Sequence, residues 1–235
     1  MDIPKLLETI AIFAVVCKNT HFLHLIHLYL TLCVSDVIFR SMETMQNIRN
    51  FAKGGYFSLK QCLEHGVSRY DLKKLEKSGE IKKADYGLYA FANVLEDEFF
   101  IPQLLSDKVV YSNETALFLT GYSDLLPEKF TVTVPKGYHS KKLWRDFLVR
   151  QTPAEILNEG VQEIRSFYSN PIKVYCIERT LCELLHGRID FNKERYIPAL
   201  QRYMRSKDRN IWKLSDFARM FHVEDKIGPY LEVLI

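Results

Sequence analysis

The 235 residues carry no common enzyme signature. There is no GxxxxGKS/T phosphate loop, no GxGxxG, no HExxH and no GxSxG, so the best-known phosphate-cradling, zinc-hydrolase and nucleophile-elbow chemistries have no foothold. Gly121-Tyr122-Ser123-Asp124 comes nearest to a nucleotidyltransferase motif, but the Gly-Ser pair and the following paired carboxylates that would hold Mg²⁺ are missing, so the stretch reads as a helix stop and turn. Cysteine is scarce: the five, at 17, 33, 62, 176 and 182, are odd in number and form no CxxC or Cys/His spacing. Neither a disulfide framework nor a zinc site is expected, and a reducing, cytoplasmic compartment fits. Cys176 and Cys182 lie in an apolar segment and read as buried, inert thiols. A long uninterrupted hydrophobic run is also lacking. Ile10–Cys17 is broken by Lys18-Asn19-Thr20, and the 18 residues Phe22–Phe39 contain His24, His27 and Asp36. No membrane partner is expected, and no small-residue cleavage site follows the first run to make it a signal peptide. His21, His24 and His27 share only a three-residue spacing, too little for a metal site. No cofactor is expected.

What is present is ordinary globular chemistry, with 47% hydrophobic residues and a formal charge of +3. That charge is too small to imply nucleic acid by itself, so its distribution matters more. Residues 42–92 hold nine Lys/Arg against six Asp/Glu, 93–108 one against four, and 109–235 nineteen against sixteen. Two mildly basic halves flank an acidic joint.

Ser58–Phe91 is the most informative stretch and reads as a winged helix-turn-helix. Ser58 caps a helix over Leu59–His65, His65-Gly66-Val67 is a short glycine-bearing turn, and Ser68 caps a second helix. Leu72 and Leu75 face a core there, while Arg69, Lys73 and Lys77 recur every four residues on another face. Ser78-Gly79 ends the helix. Glu80–Ala84 and Gly87–Phe91, around Asp85-Tyr86-Gly87, form a hairpin that serves as the wing. Placed in a major groove, this helix would set Ser68, Arg69 and Tyr70 nearest the base edges and Lys73, Lys74 and Lys77 on phosphates, with Lys82 and Lys83 on the wing. The same pattern also suits a protein-interaction module whose lysines are merely solvated.

Four segments follow. Residues 1–41 form a hydrophobic leader, either upstream sequence taken in by a wrong start or an appended helix. Residues 42–92 are the winged helix-turn-helix, its first helix over Thr44–Lys53 with Met45, Ile48, Phe51 and Ala52 inward. Residues 93–108 are an acidic linker with a short packed helix. Residues 109–235 are an α+β domain: strands at Val109–Tyr111, Phe130–Val134, Phe147–Gln151, Val161–Tyr168 and Ile172–Tyr175, a helix from a Ser112 cap through Thr120, a helix over Ile177–Leu185, and a helical remainder. The fold class is α+β, with a mixed or antiparallel sheet and a helical C-terminus.

The order of these parts resembles the AbiEi family of antitoxins from type IV toxin-antitoxin systems, over roughly residues 45–235. The blocks that carry the likeness are KGGYFSLKQCLEHGVSRYDLKKLEKSGEI, YGLYAF, SNETALFLTGYSDLLPEKFTVTVP and NPIKVYCIERTLCELLHGR. The resemblance implies a winged helix that binds and represses its own promoter; operator symmetry would bring it there as a dimer or cooperative pair. It also implies a C-terminal domain that counteracts a nucleotidyltransferase-like toxin.

In that domain Glu178, Arg179, Thr180 and Glu183 share one helix. They read either as a buried polar cluster tying the helix to the sheet or as an antitoxin surface. An acid-base pair of Glu178 and Glu183 is disfavoured, because five residues apart is poor for one helical face. Arg188–Arg219 holds nine Lys/Arg against four Asp/Glu, with Tyr203 and Trp212 interleaved. It is either a second basic footprint or a set of solvated helix faces. The competitors to a DNA-binding, non-enzymatic antitoxin are a nucleotide-dependent enzyme with a targeting winged helix, and an adaptor that binds only protein.

Overall fold

The structure, a computed structural model, describes residues 39–187 and 192–234. Most of the leader, including the histidine triplet, therefore lies outside the described residues. The chain divides into two compact units that meet between Val94 and Leu95.

The first unit opens with helix α1 over 39–51, five residues earlier than the sequence pattern suggests. Its apolar face buries Ile48 completely. Gly54 and Gly55 both take positive φ, 57° and 81°, and turn the chain into strand β1 (Tyr56–Ser58). A Cβ at Gly55 would collide with the Val94 side chain, so glycine is required there for both conformation and space. β1 was not legible in the sequence. Helix α2 (Leu59–Glu64) starts at a reciprocal cap: the Ser58 hydroxyl accepts from Gln61 N at 3.1 Å and Ser58 N donates to Gln61 Oε1 at 2.9 Å. Helix α3 (Arg69–Lys77) follows the His65-Gly66 turn, and strands β2 (Ile81–Asp85) and β3 (Leu88–Phe91) close the unit. β3 is central in an antiparallel sheet of order β1-β3-β2. Ile48, Phe57, Cys62, Val67, Leu72, Leu75 and Ile81 form one core cluster. Each large apolar side chain so buried is worth about 1.5–3 kcal/mol.

The second unit starts at residue 95, so most of the expected acidic linker is folded into it. Its Asp97 is fully buried. One carboxylate oxygen accepts the Phe99 and Phe100 amides, both at 3.1 Å, and opens helix α4 (Ile101–Leu105). The other accepts the Ser166 hydroxyl at 2.5 Å and the Asn170 amide at 2.8 Å. A negative count along 93–108 thus concealed an internal tie, because composition does not reveal which carboxylate is buried.

Strand β4 (Val110–Tyr111) leads to helix α5 (Asn113–Leu119). Ser112 occupies the N-cap position but makes no capping bond; instead Thr133 donates to its hydroxyl at 2.9 Å. After β5 (Thr131–Pro135) comes helix α6 (Lys141–Asp146), which the sequence pattern did not reveal. Then follow β6 (Leu148–Thr152), a 3₁₀ turn at Ala154–Ile156, β7 (Val161–Arg165) and β8 (Pro171–Tyr175). β7 ends three residues before Tyr168, where the expected strand ran on. The sheet order is β6-β5-β4-β8-β7. It is mixed: β4 is antiparallel to β5 and parallel to β8, β5 is parallel to β6, and β7 is antiparallel to β8.

Helix α7 (Ile177–His186) is the hub, packed against α5, α8 (Lys193–Arg205), α9 (Ile211–Met220) and α10 (Glu224–Leu234). Leu181, Cys182, Tyr196, Leu200, Tyr203 and Leu214 are at or near zero exposure in its core. The fold is α+β, with a winged helix, a mixed sheet and a helical C-terminus.

Two predictions follow from this packing. Gly160 has φ +70°, and a Cβ there would sit 2.7 Å from Phe217 Cζ and 3.0 Å from Cys176 Sγ. Gly160→Ala therefore combines backbone strain with overpacking and should lower unfolding free energy by about 3 kcal/mol in urea titration; an unchanged midpoint would contradict the packing. Burial also pushes the thiols up, Cys62 to about 11 and Cys182 to about 12, and raises Cys176. At pH 8 the reactive thiolate is thus scarcer than in a free cysteine. With Cys17 and Cys33 replaced by Ser, a thiol reagent at pH 8 should label nothing until denaturant is added, and then three sites.

Candidate nucleic-acid interface

The start of α3 is fixed by a second reciprocal cap. The Ser68 hydroxyl accepts from Asp71 N at 3.2 Å and lies 2.5 Å from Asp71 Oδ2, which also takes the Ser68 amide at 3.1 Å. Ser68 was a candidate for base contact; here its side chain is spent on the cap. Leu72 and Leu75, 1% and 2% exposed, fix the inward face. At 100° per residue the outward face then centres on Tyr70 and Lys77 and is flanked by Lys73 and Lys74, with Arg69 at its edge.

That face is open. Arg69, Lys73 and Lys77 are exposed, Lys74 is half-buried and Tyr70 is 76% exposed. None of the four cations makes an ion pair among the described residues; the ion pair recorded in this unit is Lys60–Glu64 on α2. Lys74 and Lys77 stand in the last turn, where the negative end of the helix dipole favours them, and Asp71 in the first turn does the converse.

The two wing lysines differ. Lys82 donates to the Val94 carbonyl at 2.6 Å and so is tied to the body of the unit. Lys83 is exposed, with its ammonium 6.0 Å from the centre of the Tyr86 ring at the hairpin tip; that ring is 90% exposed. A register shift between Lys83 and Asp85 marks the bulge from which the tip projects. Tyr86 was not among the expected contact residues, although its place in the turn and its ring were the available signal. The structure therefore places Arg69, Tyr70, Lys73, Lys77 and Lys83 at exposed positions and Lys74 at a half-buried one, while the exposed Ser68 and Lys82 already hold hydrogen bonds within the unit.

Residues 47–92 match the family model described as "Transcriptional regulator, AbiEi antitoxin". The match spans the winged helix, and the family it describes is one of antitoxin transcriptional regulators. Among solved structures it is similar to one titled "Crystal structure of RV2827C protein from Mycobacterium tuberculosis", with a TM-score of 0.51 and 12% identity over 75% of this chain and 69% of that one. At that identity the likeness concerns fold alone. No curated protein matches the chain.

The polar cluster on α7 is internal. Glu178 is 5% exposed, and Arg179 and Thr180 are fully buried. Arg179 Nε donates to Glu183 at 3.0 Å, Nη1 donates to the carbonyls of Ile156 (2.6 Å) and Glu159, and the guanidinium lies 3.5 Å from the Tyr175 ring centre. Thr180 donates to Cys176 O at 2.9 Å, and Glu178 pairs with Lys213 at 3.3 Å and accepts from the Tyr203 hydroxyl at 3.4 Å. Glu178, Arg179 and Thr180 are thus engaged inside the fold, as the reading of the cluster as an internal tie expects. The two glutamates have separate partners, and no group of three or more His, Cys, Asp or Glu among the described residues could hold a metal. No helix of the described residues is long and apolar enough to cross a membrane.

The basic run of α8 and α9 is likewise partly spent. Arg195 meets Glu114 at 3.4 Å, Arg202 meets Asp124 at 2.8 Å, Lys213 meets Glu178, and Arg219 meets Asp216. Arg188 lies outside the described residues. Arg179→Leu should cost about 3–5 kcal/mol of unfolding free energy, because it leaves Glu183 buried without its counter-charge. Urea denaturation of the variant checks this; wild-type stability would mean that Arg179 is not the tie described.

Proposed function

We propose that this regulator binds double-stranded DNA upstream of its own gene through α3 and the β2–β3 hairpin and represses that operon. The observation that carries the reading is the open cationic face of α3: four cations without ion pairs among the described residues around a projecting tyrosine, on a helix whose cap and core leave that face outward. Arg69 and Tyr70 at the N-terminal end are placed for base edges, Lys73, Lys74 and Lys77 for phosphates, and Lys83 with Tyr86 for the backbone beside the wing. Two copies on a palindrome would present two such helices. The second unit would serve the antitoxin half of the role, counteracting a nucleotidyltransferase-like toxin without a cofactor and without catalysis of its own. The family match and the resemblance of the chain's later blocks support that assignment. The folding of residues 95–108 into the second unit supports placing the domain boundary near Val94, and the protein would act in the cytoplasm.

The test is a titration onto its upstream DNA at several salt concentrations, beside Arg69→Ala/Lys73→Ala. Affinity should exceed that for unrelated DNA and fall steeply with salt. Since each phosphate contact contributes a slope of about 0.9 in log K against log salt, the double variant should flatten the slope by roughly 1–2 and weaken binding at least tenfold. Equal, weak binding of both proteins to any DNA would overturn the repressor reading and leave a protein-binding module.

A further inference from the structure

Residues 129–150 carry six Lys/Arg against one Asp, a formal charge of +5 where the whole chain has +3. They form β5, α6 and β6 with the connections between them. β5 and β6 are parallel neighbours with Thr133 opposite Arg150, and β6 is an edge strand of the sheet. Much of this charge is uncompensated. Arg145 is matched by Asp146 at 2.7 Å. The side chains of Lys129, Lys136, Lys141 and Arg150 make no hydrogen bond or ion pair among the described residues.

Surface lysines are often only solvated, and three further observations set this group apart. Lys129 and Arg150 are half-buried, so part of their hydration is lost with no ion pair in return. The cations also line concave ground. A cleft of about 450 Å³ includes Lys129 and Arg150, one of about 750 Å³ includes Lys136, Trp144 and Arg150, and Arg150 thus joins the two. In the larger cleft Trp144 presents a ring that is 46% exposed. The carboxylates of these linings are mostly engaged, Glu114 by Arg195 at 3.4 Å and Glu183 by Arg179 at 3.0 Å, which leaves Glu128.

Lys129 and Lys136 flank β5 at its two ends, roughly 20 Å apart along an extended chain, so the cations make a track rather than a point. A single phosphate would meet only one of them. A duplex would bring a run of phosphates but keeps its base faces stacked inside, away from Trp144. An acidic peptide would bring carboxylates and nothing flat for the ring. A single strand brings both a line of phosphates and unstacked bases. Asn113 and Gln151 in the larger cleft add side-chain amides suited to a ribose 2′-hydroxyl, which both donates and accepts. We infer that this track binds single-stranded RNA, with phosphates on Lys129, Arg150 and Lys136 and a base stacked on Trp144. It is separate from duplex binding by α3 and does not rest on it.

Anisotropy titrations of the full chain with a labelled single-stranded RNA of mixed sequence, about 16 nucleotides long to cover a site of ~4–16, test it. Binding should saturate and be at least tenfold tighter than for the same sequence as a duplex and for an oligoglutamate of equal charge. The DNA strand of that sequence should bind several-fold more weakly. Trp144→Ala should weaken the RNA about tenfold, and Trp144→Phe should recover most of that loss. Arg150→Ala/Lys136→Ala should flatten the slope of log K against log salt by about 1.4, at about 0.7 per phosphate. Arg69→Ala/Lys73→Ala should leave RNA binding intact, and urea midpoints establish that each variant is folded. Absence of saturable binding, RNA held no more tightly than the duplex or the oligoglutamate, or an affinity indifferent to the Trp144 and Arg150/Lys136 variants would overturn the proposal. An equally tight DNA strand would overturn the assignment to RNA. A loss of RNA binding in Arg69→Ala/Lys73→Ala would move the site to α3 and overturn the proposal as well.

Discussion

The Ser68–Asp71 cap and the Leu72/Leu75 anchor together decide what α3 can offer. The cap fixes the residue at which the helix begins, and the two leucines fix its rotation about its own axis. Once both are set, Tyr70, Lys73, Lys74 and Lys77 have nowhere to go but outward. The cationic face follows from burial, in that four polar residues occupy the arc the core does not use. Its ionic freedom is a separate fact, because lysines on a helix are often matched by carboxylates one turn away. Here Glu76 stands at the edge of the arc, and Asp71 is occupied by Ser68.

The second unit uses charge in the opposite way. Arg179 and Asp97 are fully buried and are held by main-chain and side-chain partners from distant parts of the chain. Such groups contribute little net stability when paired and cost much when a partner is lost, so they act chiefly to fix which segments meet. Asp97 locks the entry into the unit to the β7–β8 hairpin, and Arg179 locks α7 to the turn before β7. An exposed cationic helix and an internally bolted α+β unit divide the two uses of charge between the two halves of the chain.

The winged helix was largely legible because its signals are local. Ser58, Ser68, Gly66 and Gly79 each mark an element end through their own backbone chemistry, and the Leu72/Leu75 pair gives the helix its phase. The missed elements lacked such marks. β1 is three residues long and exists because β3 offers it an edge, and α6 is a short turn between strands. The sequence supplied the identities of the polar cluster on α7 and left its burial open, since an interior Arg and a surface Arg are written alike. In the same way, composition does not distinguish Lys82, spent on a carbonyl, from its neighbour Lys83.

The central claim is that α3 and the hairpin tip are the surface that meets DNA. It is tested most directly by amide NMR shifts of the isotope-labelled protein as its own upstream duplex is added. The account predicts perturbations concentrated at residues 69–77 and 83–87. Perturbations confined to the second unit, or none at concentrations where the complex forms, would contradict it.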